Sequence, residues 1–211
     1  MDAKVRAAKI LKTLEERYPQ ARCSLRFGDA YQLWVATVLS AQCTDERVNR
    51  VTPALFRRCP GVAELAAVPL EELEGLVRPT GFYRNKAKSL KEGARLLLER
   101  FGGRLPETME GLLQIPGVAR KTANVVLGNA FGKAEGVVVD THVRRLSVRM
   151  GLSAHGEPGA IERDLMALFP RDRWVALSHL LIHHGRAVCA ARKPACDICP
   201  VRPLCPREGV A

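Results

Sequence analysis

Aromatic residues are scarce in this chain: two Trp, three Tyr and six Phe make up 5% of its 211 residues. A protein that holds single strands by stacking base after base needs more rings than that. No apolar run approaches the roughly 20 residues that cross a bilayer, and Met1-Asp2-Ala3-Lys4 opens no signal-peptide pattern. Neither a membrane protein nor a secreted one is expected, and the cytoplasm is the expected compartment. Acidic side chains are also in deficit. Twenty-two Asp and Glu face 33 Lys and Arg, leaving a net charge of +11, which points to a polyanionic partner, nucleic acid before others. A basic protein with no such partner is the plain alternative. What remains is ordinary: 47% hydrophobic and 26% charged residues suit a globular chain with a core for one ordinary domain or two small ones.

Cysteine is unevenly spread. Cys23, Cys43 and Cys59 are scattered, whereas Cys189, Cys196, Cys199 and Cys205 fall close together near the C-terminus. An odd total of seven, with no secretion signal, argues against a disulfide framework and for a metal. The spacing Cys189-x6-Cys196-x2-Cys199-x5-Cys205 suits a tetrahedral zinc or a [4Fe–4S] cluster. One central C-x-x-C between two longer loops is unlike the paired knuckles of zinc ribbons, and it favours the cluster. Pro194, Pro200, Pro203 and Pro206 keep the segment out of regular helix. Arg192 and Lys193 form a basic tip between the first two cysteines, suited to a phosphate.

The rest reads as helix after helix, an all-α chain. Val5, Ala8, Leu11, Leu14 and Tyr18 mark one face of a helix stopped by Pro19. Asp29 is placed to cap a helix over residues 31–39, whose Leu33, Trp34, Val35, Val38 and Leu39 are expected in the core. Leu90, Ala94, Leu97 and Phe101 repeat at helical spacing until Gly102-Gly103; Ile161, Leu165, Leu168 and Phe169 do so until Pro170; residues 174–182 form a core helix. Val137-Val138-Val139 is the single strand-like run. One strand makes no sheet, so it is expected as an extended connector.

Residues 71–87 and 107–123 align without a gap, with Glu71/Glu107, Glu74/Glu110, Gly75/Gly111, Leu76/Leu112, Gly81/Gly117, Arg84/Arg120 and Ala87/Ala123 identical. Each copy reads as helix, tight Gly turn, helix, by duplication or by chance matching of similar hairpins. In the second copy Pro116 ends one helix, Gly117 permits the turn, and the next helix starts near Ala119 or Arg120. First-turn N–H groups lack intrahelical partners and carry the positive dipole end, which suits a phosphate oxygen; a plain helical turn is the other reading. Lys121 sits in that first turn beside Arg120, where dipole and neighbouring charge disfavour its ammonium form. It is either an amine nucleophile or a surface lysine meeting phosphate. Asp140 precedes a helix running to Met150 and closed by Gly151. It is either a cap alone or a cap whose carboxylate also partners Lys121.

Taken together these residues resemble the endonuclease III family, the helix-hairpin-helix DNA glycosylases with abasic-site (AP) lyase activity. The resemblance runs collinearly from Leu39-Ser40-Ala41-Gln42-Cys43-Thr44-Asp45 through Pro116-Gly117-Val118-Ala119-Arg120-Lys121 and Val139-Asp140-Thr141-His142 to Cys205. It implies a six-helix barrel domain over 23–134 and a second helical domain from 1–22 plus 135–211, which holds a [4Fe–4S] cluster on the four cysteines. A DNA groove would run between the domains, with Lys121 and Asp140 at its mouth. It implies Lys121 as nucleophile on the sugar C1′, with Asp140 assisting. Gln42 would fill the gap left by a flipped nucleotide, and Phe82 would act as a wedge. Gly117, Ala119 and Arg120 would contact DNA at the hairpin, and Arg192 and Lys193 at the cysteine loop. The expected partner is duplex DNA with damaged bases or abasic sites, met by a monomer. Two departures stand out: Ala119 replaces the second glycine of a usual Gly-Val-Gly hairpin, and Phe82 replaces an aliphatic wedge. The adenine-mismatch glycosylases share the fold and cluster, but they lack the hairpin lysine and carry a further C-terminal domain. Lys121, and an end six residues past Cys205, point away from them. A non-catalytic iron–sulfur DNA-binding module would need no lysine–aspartate pair.

Overall fold

A computed structural model describes residues 1–210. Among these there is no strand; the helices are α1 (Ala3–Arg17), α2 (Ala30–Leu39), α3 (Asp45–Arg58), α4 (Val62–Ala67), α5 (Leu70–Val77), α6 (Tyr83–Phe101), α7 (Met109–Leu113), α8 (Arg120–Ala130), α9 (Thr141–Arg149), α10 (Pro158–Leu168) and α11 (Trp174–Ala187). Short 3₁₀ turns follow α5 at Arg78–Thr80 and precede α11 at Arg171–Arg173. Two more, Cys196–Ile198 and Arg202–Leu204, lie in the cysteine segment.

The chain divides into two compact units, Cys23–Lys133 and Met1–Arg22 with Ala134–Ala211. In the first, Asp29 caps α2 by accepting from the Gln32 N–H at 2.8 Å. The helix then buries Leu33, Trp34, Val35, Val38 and Leu39 as its pattern requires. Trp34 packs so closely on α6 that a Cβ at Gly93 would lie 2.7 Å from its Cζ2 and 2.9 Å from Ile115 Cγ2. Glycine at 93 therefore lets α2, α6 and the residues after α7 meet at one point. α8 packs against both α2 and α7, and Ala123, Val126 and Leu127 seal it to the core.

In the second unit the buried stripe of α1 is Ala7, Ile10, Leu11 and Leu14, with Tyr18 beside it. Val5 is 48% exposed and Ala8 is also exposed, contrary to the face read from sequence. The reason is geometric: steps of three residues drift around a helix with 3.6 residues per turn, so Val5 ends on the side opposite Leu14. The steps of three and four in 7-10-11-14-18 stay on one face. α9, α10 and α11 close this core with Val143, Leu146, Ile161, Leu165, Leu177 and Leu181. Val137-Val138-Val139 is an extended connector. Val137 and Val139 are buried, while the Val138 N–H is satisfied by Ser178 Oγ at 3.0 Å.

Candidate active site and nucleic-acid interface

Three segments of the unit Cys23–Lys133 meet at an open depression: the loop after α2, the turn before α6 and the turn before α8. Val38, Ala41, Gln42, Phe82, Asn85, Lys86, Ser89 and Gly117 line it. Gln42 and Phe82 stand at its rim, exposed, and both hold left-handed backbone with φ 52° and 48°. A bulky residue in that region costs roughly 1–2 kcal/mol. Such strain persists where the surroundings enforce it, typically at functional positions. The Phe82 ring is 63% exposed, far more than a core aromatic would be.

From the α7–α8 hairpin, Gly117 lines the depression. Gly117 turns at φ 78°, and a Cβ there would lie 2.9 Å from Ser89 Cβ on α6, so both conformation and space require glycine. Val118 folds back with its N–H donating to Ile115 O at 3.0 Å and is buried in the core. Ala119 is the N-cap of α8, extended at φ −98° and ψ 171°, and supplies no side-chain cap. The first-turn N–H groups that follow have no acceptor within the helix. Arg120 and Lys121 are the first two residues of α8, and both are exposed.

Asp140 belongs to the other unit. Its Oδ1 accepts from the Val143 N–H at 2.8 Å and caps α9, which ends at Arg149 with Met150 as its C-cap and Gly151 at φ 60° beyond it. Its second oxygen is not used by the cap. The Nδ1 of His142, the second residue of α9, lies 3.2 Å from Arg145 Nη2, and burial lowers the pKa of this imidazole.

Cys189, Cys196, Cys199 and Cys205 line a single cavity, together with Met150, His184 and Val188. Two arginines of α9 hold the loop from beneath. Arg145 donates to Cys189 O at 2.9 Å; Arg149 donates to Ala190 O at 2.7 Å, Ala191 O at 2.9 Å and Cys189 Sγ at 3.5 Å. Burial pushes the Cys199 and Cys205 thiols up, and the other thiols of the group add to the effect. Four such sulfurs become stable thiolates once a cation is seated among them. Among the described residues no three Cys, His, Asp or Glu side chains gather into a cage for a single metal ion; the cysteines instead surround a shared space. Arg192 and Lys193 are exposed at the tip of this loop, Lys193 with φ 50°.

Four side chains contribute in ways that the sequence alone does not show. Lys86 is 6% exposed and donates to two backbone carbonyls. Its one signal is its position on the Leu90–Ala94–Leu97 stripe of α6, where a lysine is out of place. Ser89 under Gly117 has no signal. Arg145 and Arg149 carry no sequence signal for their contacts with the cysteine loop.

The family profile described as "HhH-GPD superfamily base excision DNA repair protein" matches residues 35–171. The chain is 56% identical to an endonuclease III of Synechocystis sp. over 203 residues, covering 96% of this chain and 93% of the relative. It is 42% identical to an endonuclease III of Bacillus subtilis, covering 94% and 90%. Among solved structures it is similar to a trapped endonuclease III–DNA covalent intermediate in an estranged-adenine complex, with TM-score 0.93, 39% identity, and 98% and 97% of the two chains covered.

Proposed function

Since the chain belongs to the endonuclease III family within the HhH-GPD superfamily of base excision DNA repair proteins, we infer that it is a DNA glycosylase with AP lyase activity acting on duplex DNA. We propose that it removes oxidised pyrimidines and then cuts the strand 3′ to the abasic site. The observation that carries this is the likeness, along nearly the whole chain, to a neighbour solved as a covalent intermediate with DNA. Such an intermediate requires a protein nucleophile, and Lys121 is an exposed amine directly behind the Gly117 turn.

The chemistry follows from the groups present. A base inside a duplex is out of reach, so the damaged nucleotide must leave the stack at a cost of a few kcal/mol. Phe82 and Gln42, held outward by left-handed backbone, offset part of that cost by filling the vacated space. The Gly117 turn and the N-terminus of α8 take a backbone phosphate, with Arg120 beside them; Arg192 and Lys193 take another. The Lys121 amine attacks C1′ and the base departs. The imine that forms acidifies the C2′ proton, and β-elimination opens the strand. The Asp140 carboxylate, held by its cap bond, assists activation and elimination with its second oxygen. Lys86 is the other lysine near the depression. Its Nζ is spent on two carbonyls at 2.8 Å, so it is no competing nucleophile.

We further propose that Cys189, Cys196, Cys199 and Cys205 hold a [4Fe–4S] cluster, which when bound braces the C-terminal loop and presents Arg192 and Lys193. The four cysteines line one cavity, and their single central C-x-x-C between two longer loops supports a cluster over zinc. Visible absorption and about four irons per chain are expected; stoichiometric zinc without colour would overturn it. Among the described residues no helix is long and apolar enough to cross a membrane. Because the proposed substrate is duplex DNA, we place the protein with the DNA in the cytoplasm.

The deciding experiment is borohydride trapping on abasic-site duplex. Wild type should become covalently joined to DNA. Lys121→Gln should lose trapping and strand cleavage by at least about 10³-fold while duplex binding stays within about tenfold. Efficient trapping by Lys121→Gln would move the nucleophile elsewhere. Base release by wild type without any trapping would make this a water-using, monofunctional glycosylase.

A further inference from the structure

Among the described residues Lys86 is the one buried lysine. Its Nζ donates to Leu39 O and to Thr80 O, each at 2.8 Å. No carboxylate pairs with it among the described residues, and burial lowers its pKa. A buried cation held by two carbonyl dipoles, with the Cys43 thiol the one other group that favours its charge, is a costly way to fill a core; Leu or Met would fill the same volume at lower cost. What the ammonium does that a methyl cannot is join two backbone segments.

Those segments are the ones that carry the exposed tips. Leu39 is the last residue of α2, three before Gln42, and Thr80 is two before Phe82. Lys86 itself stands one turn into α6, with its own N–H donating to Phe82 O at 3.1 Å. One side chain therefore touches the base of the Gln42 loop and the base of the Phe82 turn, and Phe82 is the N-cap of its helix. Both tips hold left-handed backbone, a conformation that relaxes unless something enforces it. Lys91 offers the contrast. It too donates to two carbonyls, Ala66 O and Val68 O, but both lie on one segment at the end of α4, so it closes a helix and bridges nothing.

We propose that Lys86 is a positioning residue for nucleotide extrusion: its ammonium locks the Gln42 loop and the Phe82 turn together, so that the two tips enter the duplex as one rigid unit. This inference rests on the reading that those tips insert. It makes a specific demand on substrates. A lesion still paired and stacked requires the tips to do work on the helix, whereas a preformed abasic site is already partly open. Loosening the clamp should therefore penalise the first substrate more than the second.

The test compares single-turnover rates of the full iron-loaded chain on two duplexes, one with a paired oxidised pyrimidine and one with a preformed abasic site. Lys86→Met should slow the paired lesion by at least about tenfold and the abasic site by less than about threefold, with borohydride trapping on the abasic duplex retained. 2-Aminopurine placed opposite the lesion should show a matching loss of fluorescence gain on binding. Equal losses on both substrates would overturn the proposal, because general destabilisation does not distinguish them. Loss of trapping would also overturn it and make Lys86 a nucleophile. If Lys86→Met does not fold, Lys86→Arg keeps the cation but changes its shape, and an unchanged ratio of the two rates in that variant overturns the proposal. Phe82→Ala runs alongside. If it leaves the ratio unchanged, the insertion reading itself fails; if it shifts the ratio and Lys86→Met does not, only the role of Lys86 fails.

Discussion

In the first hairpin Gly81, at φ 70°, is followed by Phe82, left-handed as well at φ 48° and 63% exposed. In the second, Gly117, at φ 78°, is followed by Val118, 7% exposed and packed in the core. The two sequences align residue for residue, yet the helix that follows starts at Tyr83 in one and at Arg120, one aligned position later, in the other. One extra left-handed residue accounts for the difference. In the first hairpin it makes Phe82 the N-cap of α6 and turns its ring outward. In the second, Val118 folds inward and Ala119 takes the cap position, so that the start of α8 and Lys121 face solvent. The aligned partner of Lys121 is Asn85, which lines the depression. One frame has thus been put to two uses, a turn that pushes a side chain out and a turn that presents N–H groups and an amine.

The comparison breaks most readily at the glycines. Gly81→Ala meets no atom within 4 Å and pays only for its backbone angles, about 1–3 kcal/mol. Gly117→Ala adds contact with Ser89 Cβ at 2.9 Å, which raises the expected loss to about 2–5 kcal/mol. Urea unfolding of the purified proteins measures both. A double-mutant cycle with Ser89→Gly should return the steric part for Gly117→Ala and nothing for Gly81→Ala. Equal losses at the two glycines would show that Ser89 gives way.

The residues after the glycines should behave in opposite ways. Phe82→Ala removes an exposed ring, so stability should move by less than about 0.5 kcal/mol. Cleavage at a paired lesion should fall about tenfold relative to cleavage at an abasic site. Val118→Ala opens the core and should cost about 1–3 kcal/mol, with the ratio of the two substrates as in wild type. A Val118→Ala protein that changed the ratio would show that the second hairpin also takes part in unstacking.

Much of this was legible in the residues because it rests on local rules. Asp29 and Asp140 read as caps and are caps. Gly102 ends α6 at φ 60°, and Val137-Val138-Val139 is a connector. Lys121 could be placed in the first turn of α8 because Pro116 and Gly117 mark the turn by their own backbone restrictions. The contributions that sequence did not show are those made by residues distant in the chain. The clamp of Lys86 on Leu39 and Thr80 joins positions 47 and 6 residues away, and no periodicity encodes that. Ser89 matters only because α6 passes under Gly117. The outward turn of Phe82 depends on a positive φ at a non-glycine residue, which composition gives no reason to expect. Even the face of α1 was misread at Val5, where a run of three-residue steps imitated a stripe.

The finest test of the comparison is Ala119, where the usual hairpin pattern has glycine. Its φ of −98° and ψ of 171° are ordinary extended angles, so alanine is unstrained there and glycine is not needed for the turn. The residue is exposed, and its backbone N–H is the same whichever side chain it carries. Ala119→Gly removes one exposed methyl group and changes no charge, so the number of phosphates neutralised, and with it the salt slope of binding, should stay the same. Glycine is the better N-cap but loses more entropy on ordering, and the two nearly cancel in stability. Affinity for abasic-site duplex at fixed salt should therefore change by less than about tenfold, roughly 1.4 kcal/mol. A larger gain with an unchanged slope would mean that the methyl group holds a phosphate away from the start of α8. A steeper slope would mean that removing it admits a further ionic contact, with Arg120 the cation nearest to make it.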